Sequence, residues 1–176
     1  MRLPRLFIAC AVVVTAASAQ PAAADTTQDT TTTFAVTATD GINITAPASA
    51  TLTDAAPGAT ATGQLTAIRV NDQRSALDSN WTATVSLTTP FTTGGGTASE
   101  TIGGANVDYD PGTEVNPVNG PFTAGSAATL AATRTAFSRT SGSGDNAVSW
   151  TPTVSVRVPA NAVAGTYTGT LRHSVA

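Results

Sequence analysis

Residues 81–87, "WTATVSL", alternate apolar and hydroxyl side chains without a break. A strand turns successive side chains to opposite faces, whereas a helix repeats every 3.6 residues. This stretch can therefore bury one face only as a β-strand, with Trp81, Ala83, Val85 and Leu87 inward. Residues 148–158, "VSWTPTVSVRV", put Val148, Trp150, Val154, Val156 and Val158 on one face. Pro152 interrupts that run, which suits an edge or a bulge. Near the end, Tyr167, Gly169, Leu171, His173 and Val175 oppose Thr166, Thr168, Thr170, Arg172 and Ser174. No stretch holds helical periodicity.

The segments between these strands carry Gly, Pro, Asn and Asp, as turns require. "FAVTAT" (34–39), the dipeptide Asp40-Gly41 and "INIT" (42–45) read as a β-hairpin. "QLTAIRV" (64–70) reads as a central strand whose phase slips after Ala67, through a bulge or through burial on both faces. Residues 90–126 are Gly- and Pro-rich with at most short strands, 128–137 favour a strand, and 138–147 form a loop. The whole predicts an all-β protein: one Ig-like antiparallel β-sandwich of about eight or nine strands over residues 34–176.

Residues 1–24 have the order of a secretory signal peptide. Arg2 and Arg5 precede an apolar run from Leu6 to Val14, and small residues follow it. Cleavage is expected after Ala24, with Ala19 as the alternative. The run is shorter than the roughly 20 residues a membrane span needs. Phe7 stands where a lipobox prefers Leu, which argues against lipidation at Cys10. The secreted chain then has a flexible polar lead-in at 25–33 and no cysteine, so no disulfide can staple it. Of eight Arg, six remain against eleven acids, a net charge near −5, and there is no lysine. Acidity argues against nucleic acid and anionic lipid as partners. Thr fills 34 of 176 positions, and its branched, uncharged side chain suits the outer face of a sheet.

The same inventory excludes most chemistry. Without lysine there is no phosphate-loop lysine and no Schiff base, so "TTGGGT" (92–97) reads as a loop tip. One histidine and no mature cysteine cannot make an ordinary zinc site. A Ser-His-Asp triad would have to use His173, which shares a face with Leu171 and Val175 and reads as a core-edge histidine. "NIT" (43–45) and "NWT" (80–82) match the glycosylation pattern by chance in so Thr-rich a chain. Asp108, Asp110 and Glu114 form the one dense acidic cluster, a weak Ca²⁺ candidate that lacks the EF-hand ligand order. Charge, amide and tryptophan crowd together in "VNDQRSALDSNW" (70–81). Asp72 and Asp78 could form a carboxylate pair. The stronger reading has Asp72 pairing Arg74, so that the loop sets the register of Trp81.

"LTAIRVNDQRSALDSNWTATVSLTTPF" (65–91) resembles the WxL domain of Gram-positive cell-surface proteins, in which V-x-D-x-R leads to a strand-opening tryptophan. "VPANAVAGTYTGTLRHSVA" (158–176) is similar to that family's closing segment, including Tyr167 in its G-x-Y. The first motif stands here as Trp81-Thr82-Ala83; the second falls at His173-Ser174-Val175, with His173 in place of tryptophan. The resemblance implies a secreted, non-catalytic sandwich held non-covalently at the cell wall, with no cofactor. Its partners would be peptidoglycan or other cell-surface proteins. The last strand is also similar to that of pilin-like and coat-like subunits, which assemble by strand exchange. The donor would then be residues 31–46.

Overall fold

Alternating hydroxyl and apolar side chains fold here into strands with one face in a shared core. The computed structural model describes residues 28–176; the leader assigned to 1–24 lies outside them. Val36–Ala176 form one compact unit, whose thirteen strands are now numbered in chain order. They are β1 (Ile42–Thr45), β2 (Thr60–Gln64), β3 (Ile68–Asp72), β4 (Trp81–Thr92), β5 (Thr101–Ile102) and β6 (Val107–Asp110). Then come β7 (Glu114–Val118), β8 (Thr123–Ala124), β9 (Ala128–Thr129) and β10 (Arg134–Arg139). β11 (Asn146–Trp150), β12 (Thr153–Arg157) and β13 (Thr168–Val175) close the chain. Short 3-10 turns at Ala98–Glu100 and Gly104–Asn106 are the only helical elements among the described residues. No helix of the described residues is long and apolar enough to cross a membrane.

The fold is all-β and every pairing is antiparallel. One layer runs β13-β4-β10-β8, with β5 beside β4. The other consists of β1-β3-β11-β7 and β2-β12-β6-β9, joined end to end by the chain itself. Three connections, 65–67, 111–113 and 151–152, lie side by side. Trp150 pairs with Ile68 and Glu114, while Thr153 pairs with Gln64 and Asp110. Pro152 lacks an amide hydrogen and Gly112 sits at φ +69°, so ladder pairing lapses along one line. The Leu65 amide stitches across it to the Pro152 carbonyl at 2.9 Å.

That line explains three departures from the sequence reading. The strand count exceeds eight or nine because three long strands are each cut in two and β5, β8 and β9 are two-residue pieces. The phase slip in 64–70 is the gap between β2 and β3, which lets Leu65, Ile68 and Val70 all be buried. Pro152 lies in the middle of the layer, not at an edge, and is tolerated because the ladder is already open there. A fourth departure is the absent hairpin. Asp40 and Gly41 continue the β1–β3 ladder through Gln73, whose amide donates to the Gly41 carbonyl at 2.9 Å. Residues 34–39 therefore gain no partner strand, and Phe34 and Val36 are 88% and 79% exposed.

The core lies between the layers, and Ile68, Val85, Val107, Val148 and Trp150 within it are fully buried. Phe137 stacks on Trp150 with ring centroids 4.8 Å apart. Trp150→Ala should cost about 3–5 kcal/mol, lowering the urea midpoint without changing the slope. Leu77→Ala, at a side chain 92% exposed, should stay within about 0.5 kcal/mol of wild type.

Candidate functional site

Asp72 closes β3 with its side chain fully buried. A lone buried carboxylate is costly, so its oxygens need donors. Arg74 Nε and Nη2 donate to the two oxygens at 2.8 and 2.9 Å, and the Arg74 amide adds a third bond at 3.1 Å. Asn146 Nδ2, from β11, donates to Oδ2 at 3.0 Å. Burial pushes the Asp72 carboxyl up, but these donors together hold it below the usual carboxylate range. Asn146 Oδ1 in turn accepts the Trp81 indole N–H at 2.8 Å. Arg74 Nη2 also donates to the Asn80 carbonyl at 2.9 Å, next to Trp81 in the chain. Trp81 belongs to one layer, Asn146 and Asp72 to the other. The chain Arg74–Asp72–Asn146–Trp81 is therefore a polar bridge across the sandwich.

The rest of the corner is tied to loop 140–145. The Ser79 amide donates to the Gly142 carbonyl at 3.1 Å, and the Gly144 amide to the Ala76 carbonyl at 2.7 Å. Ser75 donates through its amide and hydroxyl to Asp145 Oδ1, each at 2.9 Å. Beneath this loop Arg139, 1% exposed, donates to the carbonyls of Ser79 and Asn119, both at 3.1 Å, and to the Ser79 hydroxyl. Its Nε has no partner. Asp78 lies on the exposed side of the corner, so Asp72 and Asp78 do not act as a carboxylate pair.

A second bridge joins the layers through Tyr109 of β6. Trp150 Nε1 donates to the Tyr109 hydroxyl at 3.0 Å, and His173 Nε2 lies 3.2 Å from the same oxygen. An indole N–H can only donate, so the Tyr109 oxygen accepts from Trp150, and His173 Nε2 shares a hydrogen bond with the same hydroxyl. Burial pushes His173 down to about 4 and Tyr109 up. His173 is thus one end of a structural bridge. Its nearest polar partner is a tyrosine, not the Ser of a triad.

The acidic cluster is dispersed by the strands that carry it. Asp108 and Asp110 are on β6 and not in a loop; Asp108 pairs with Arg157 at 2.9 Å. Asp110 Oδ1 accepts the Gly112 amide at 2.9 Å, and Glu114 begins the exposed strand β7. Among the described residues no three His, Cys, Asp or Glu side chains gather as a metal site. The Tyr167 hydroxyl lies 3.1 and 2.9 Å from the carbonyls of Ser99 and Val163, joining the 163–167 turn to the first 3-10 turn.

Sequence reasoning named Asp72, Arg74 and Trp81 but not Asn146, Ser79, Arg139 or Tyr109. Asn146 was within reach, because it shares parity with Val148 and Trp150 on β11. No family model, no curated protein and no solved structure matches this chain. The class defined by fold and corner is an antiparallel β-sandwich whose layers are held by buried polar bridges.

Two outcomes test this geometry. Asp72→Ala should destabilise by about 1–3 kcal/mol, because the partly exposed Arg74 and the buried Asn146 amide each lose their carboxylate partner. Trp81→Phe should cost about 1–3 kcal/mol through the unpaired Asn146 oxygen; denaturant titration measures both. The bridges also set the acid response. A histidine held below its ordinary value of 6.5 leaves the unfolded chain binding more protons, so its contribution is complete above that pH. That contribution is lost as pH falls toward about 4, by at most about 3 kcal/mol. His173→Gln should flatten the stability curve in this window and leave the loss from Asp72, which sets in as pH falls through the ordinary carboxylate range, unchanged.

Proposed function

We propose that the chain is a secreted, non-catalytic cell-surface module that associates with the peptidoglycan of the wall. The reading takes its family from the V-x-D-x-R…W order at 70–81, and the exposed face of the β13-β4-β10 sheet supports it. That face is an array of hydroxyls with one charge. Ser174, Thr84 and Thr135 form one row, Thr82 and Ser138 another, and Arg172 lies opposite Ser86. Hydroxyls donate and accept, as do the sugar hydroxyls and acetamido groups of a glycan strand. Each contact is weak, so retention would rest on many of them along a polymer. Trp81 is 3% exposed and its indole N–H is occupied, so the tryptophan serves the fold and the contact lies elsewhere.

The exported protein should pellet with isolated peptidoglycan and remain bound in about 0.5 M NaCl, where exposed charge pairs are screened. Thr82→Glu with Thr84→Glu should release it at least tenfold while leaving the melting temperature near wild type. A protein that stays in the supernatant contradicts the reading.

A further inference from the structure

The sandwich is open along one side. β13 ends its sheet and among the described residues pairs only with β4, so the outer edge of this eight-residue strand has no ladder partner, although β1 of the other layer packs close to part of it. Across from it residues 46–58, which form no strand, run beside β2, with the Thr53 amide bonded to the Thr62 carbonyl at 2.8 Å. Two hollows lie between this segment and β13, of about 220 and 660 Å³. They share Ala50, Leu52, Phe91 and Gly169 in their walls, so they form one slot. Leu65, Val154 and Leu171 line the first hollow, and Val156 the second. Gly169 is required where it stands, since a Cβ there would meet the Phe91 ring at 2.9 Å.

A long edge without a ladder partner, over a slot whose apolar side chains Leu52, Leu65, Phe91 and Val154 stand among polar ones that include Asp54, is a template for an added strand. The chain also holds a segment of the matching pattern. Residues 31–39, "TTTFAVTAT", carry no charge and form no strand. Phe34 and Val36, two apart and so on one face of an extended chain, are 88% and 79% exposed. We propose that the slot receives residues 31–39 of a second copy as a strand beside β13, with Phe34 and Val36 directed into it. The absence of charge matters, because the apolar side chains of the slot would strip water from any ion carried in against them. Each copy has one slot and one donor, so the contact is head-to-tail and generates chains of copies or rings. This proposal does not rest on wall binding, and either can fail alone.

The test uses the full chain with Cys10→Ser, which leaves no other thiol. Thr37→Cys is placed in one preparation, and Thr168→Cys, Thr170→Cys, Arg172→Cys or Ser174→Cys, all on the outward side of β13, in another. Mixing under mild oxidation should give a disulfide-linked pair for at least one position. The yield should exceed tenfold that of Thr37→Cys mixed with Leu77→Cys, a control at an exposed loop tip. Adding Phe34→Asp to the donor should abolish the link without changing its melting temperature. A synthetic peptide of residues 31–39 should compete, and a scrambled one should not. Yields no higher than the control, or links that survive Phe34→Asp, overturn the proposal. So does a monomeric cross-link as the dominant product when both cysteines share one chain, which would make the occupant the chain's own segment.

Discussion

One buried carboxylate organises this molecule. Asp72 is surrounded by donors from its own turn and from the neighbouring strand, and through Asn146 it reaches the tryptophan of the opposite layer. Removing a carboxylate from water costs several kcal/mol, which the bidentate guanidinium and the amides offset. Such a group is a weak source of net stability. Its effect is on specificity: slipping β4 by one residue would turn Trp81 outward and leave Asn146 and Asp72 without their partners. The net stability comes from the apolar cluster around Ile68, Val85, Val148 and Trp150.

The second bridge does comparable work through neutral groups. Tyr109 stands between Trp150 and His173, so one hydroxyl satisfies an indole and an imidazole from opposite layers. Both tryptophans thus present their bodies to the core and their N–H groups to a polar partner, as buried indoles generally must. The described residues contain no cysteine, so among them no disulfide joins the layers, and these two bridges are polar links between them. Hydrogen bonds of this kind contribute about 0.5–1.5 kcal/mol each, less than a typical disulfide. The fold therefore depends on packing for its strength and on the bridges for its alignment.

Much of the architecture was legible because period-two alternation is a local property. Trp81 to Leu87 and Gly169 to Val175 fix their own inward faces, and the all-β class follows from them. What a strand pairs with is not local. Residues 34–39 alternate as convincingly as β1, yet Asp40 and Gly41 extend the β1–β3 ladder toward Gln73 and leave them unpaired. From the sequence Pro152 suits an edge or a bulge; its actual context, a break shared by three strands in mid-layer, is visible only once those strands are adjacent. The site divides in the same way. Asp72 and Arg74 are two residues apart and could be paired from the sequence. Asn146 lies 65 positions beyond Trp81, and only the fold brings them together.

The hydroxyl face, the edge of β13 and the buried corner are separate parts of the chain. The corner sets register, while the hydroxyl face with its single Arg172 is the part proposed to meet a polymer and the edge of β13 the part proposed to take a strand. This division depends on Trp81 being structural. Hydrogen exchange of its indole N–H, followed by NMR, tests that directly. The account predicts protection approaching that of the most protected β4 amides, lost only on global unfolding. An indole that exchanges within seconds, like a solvent-exposed tryptophan, would contradict it.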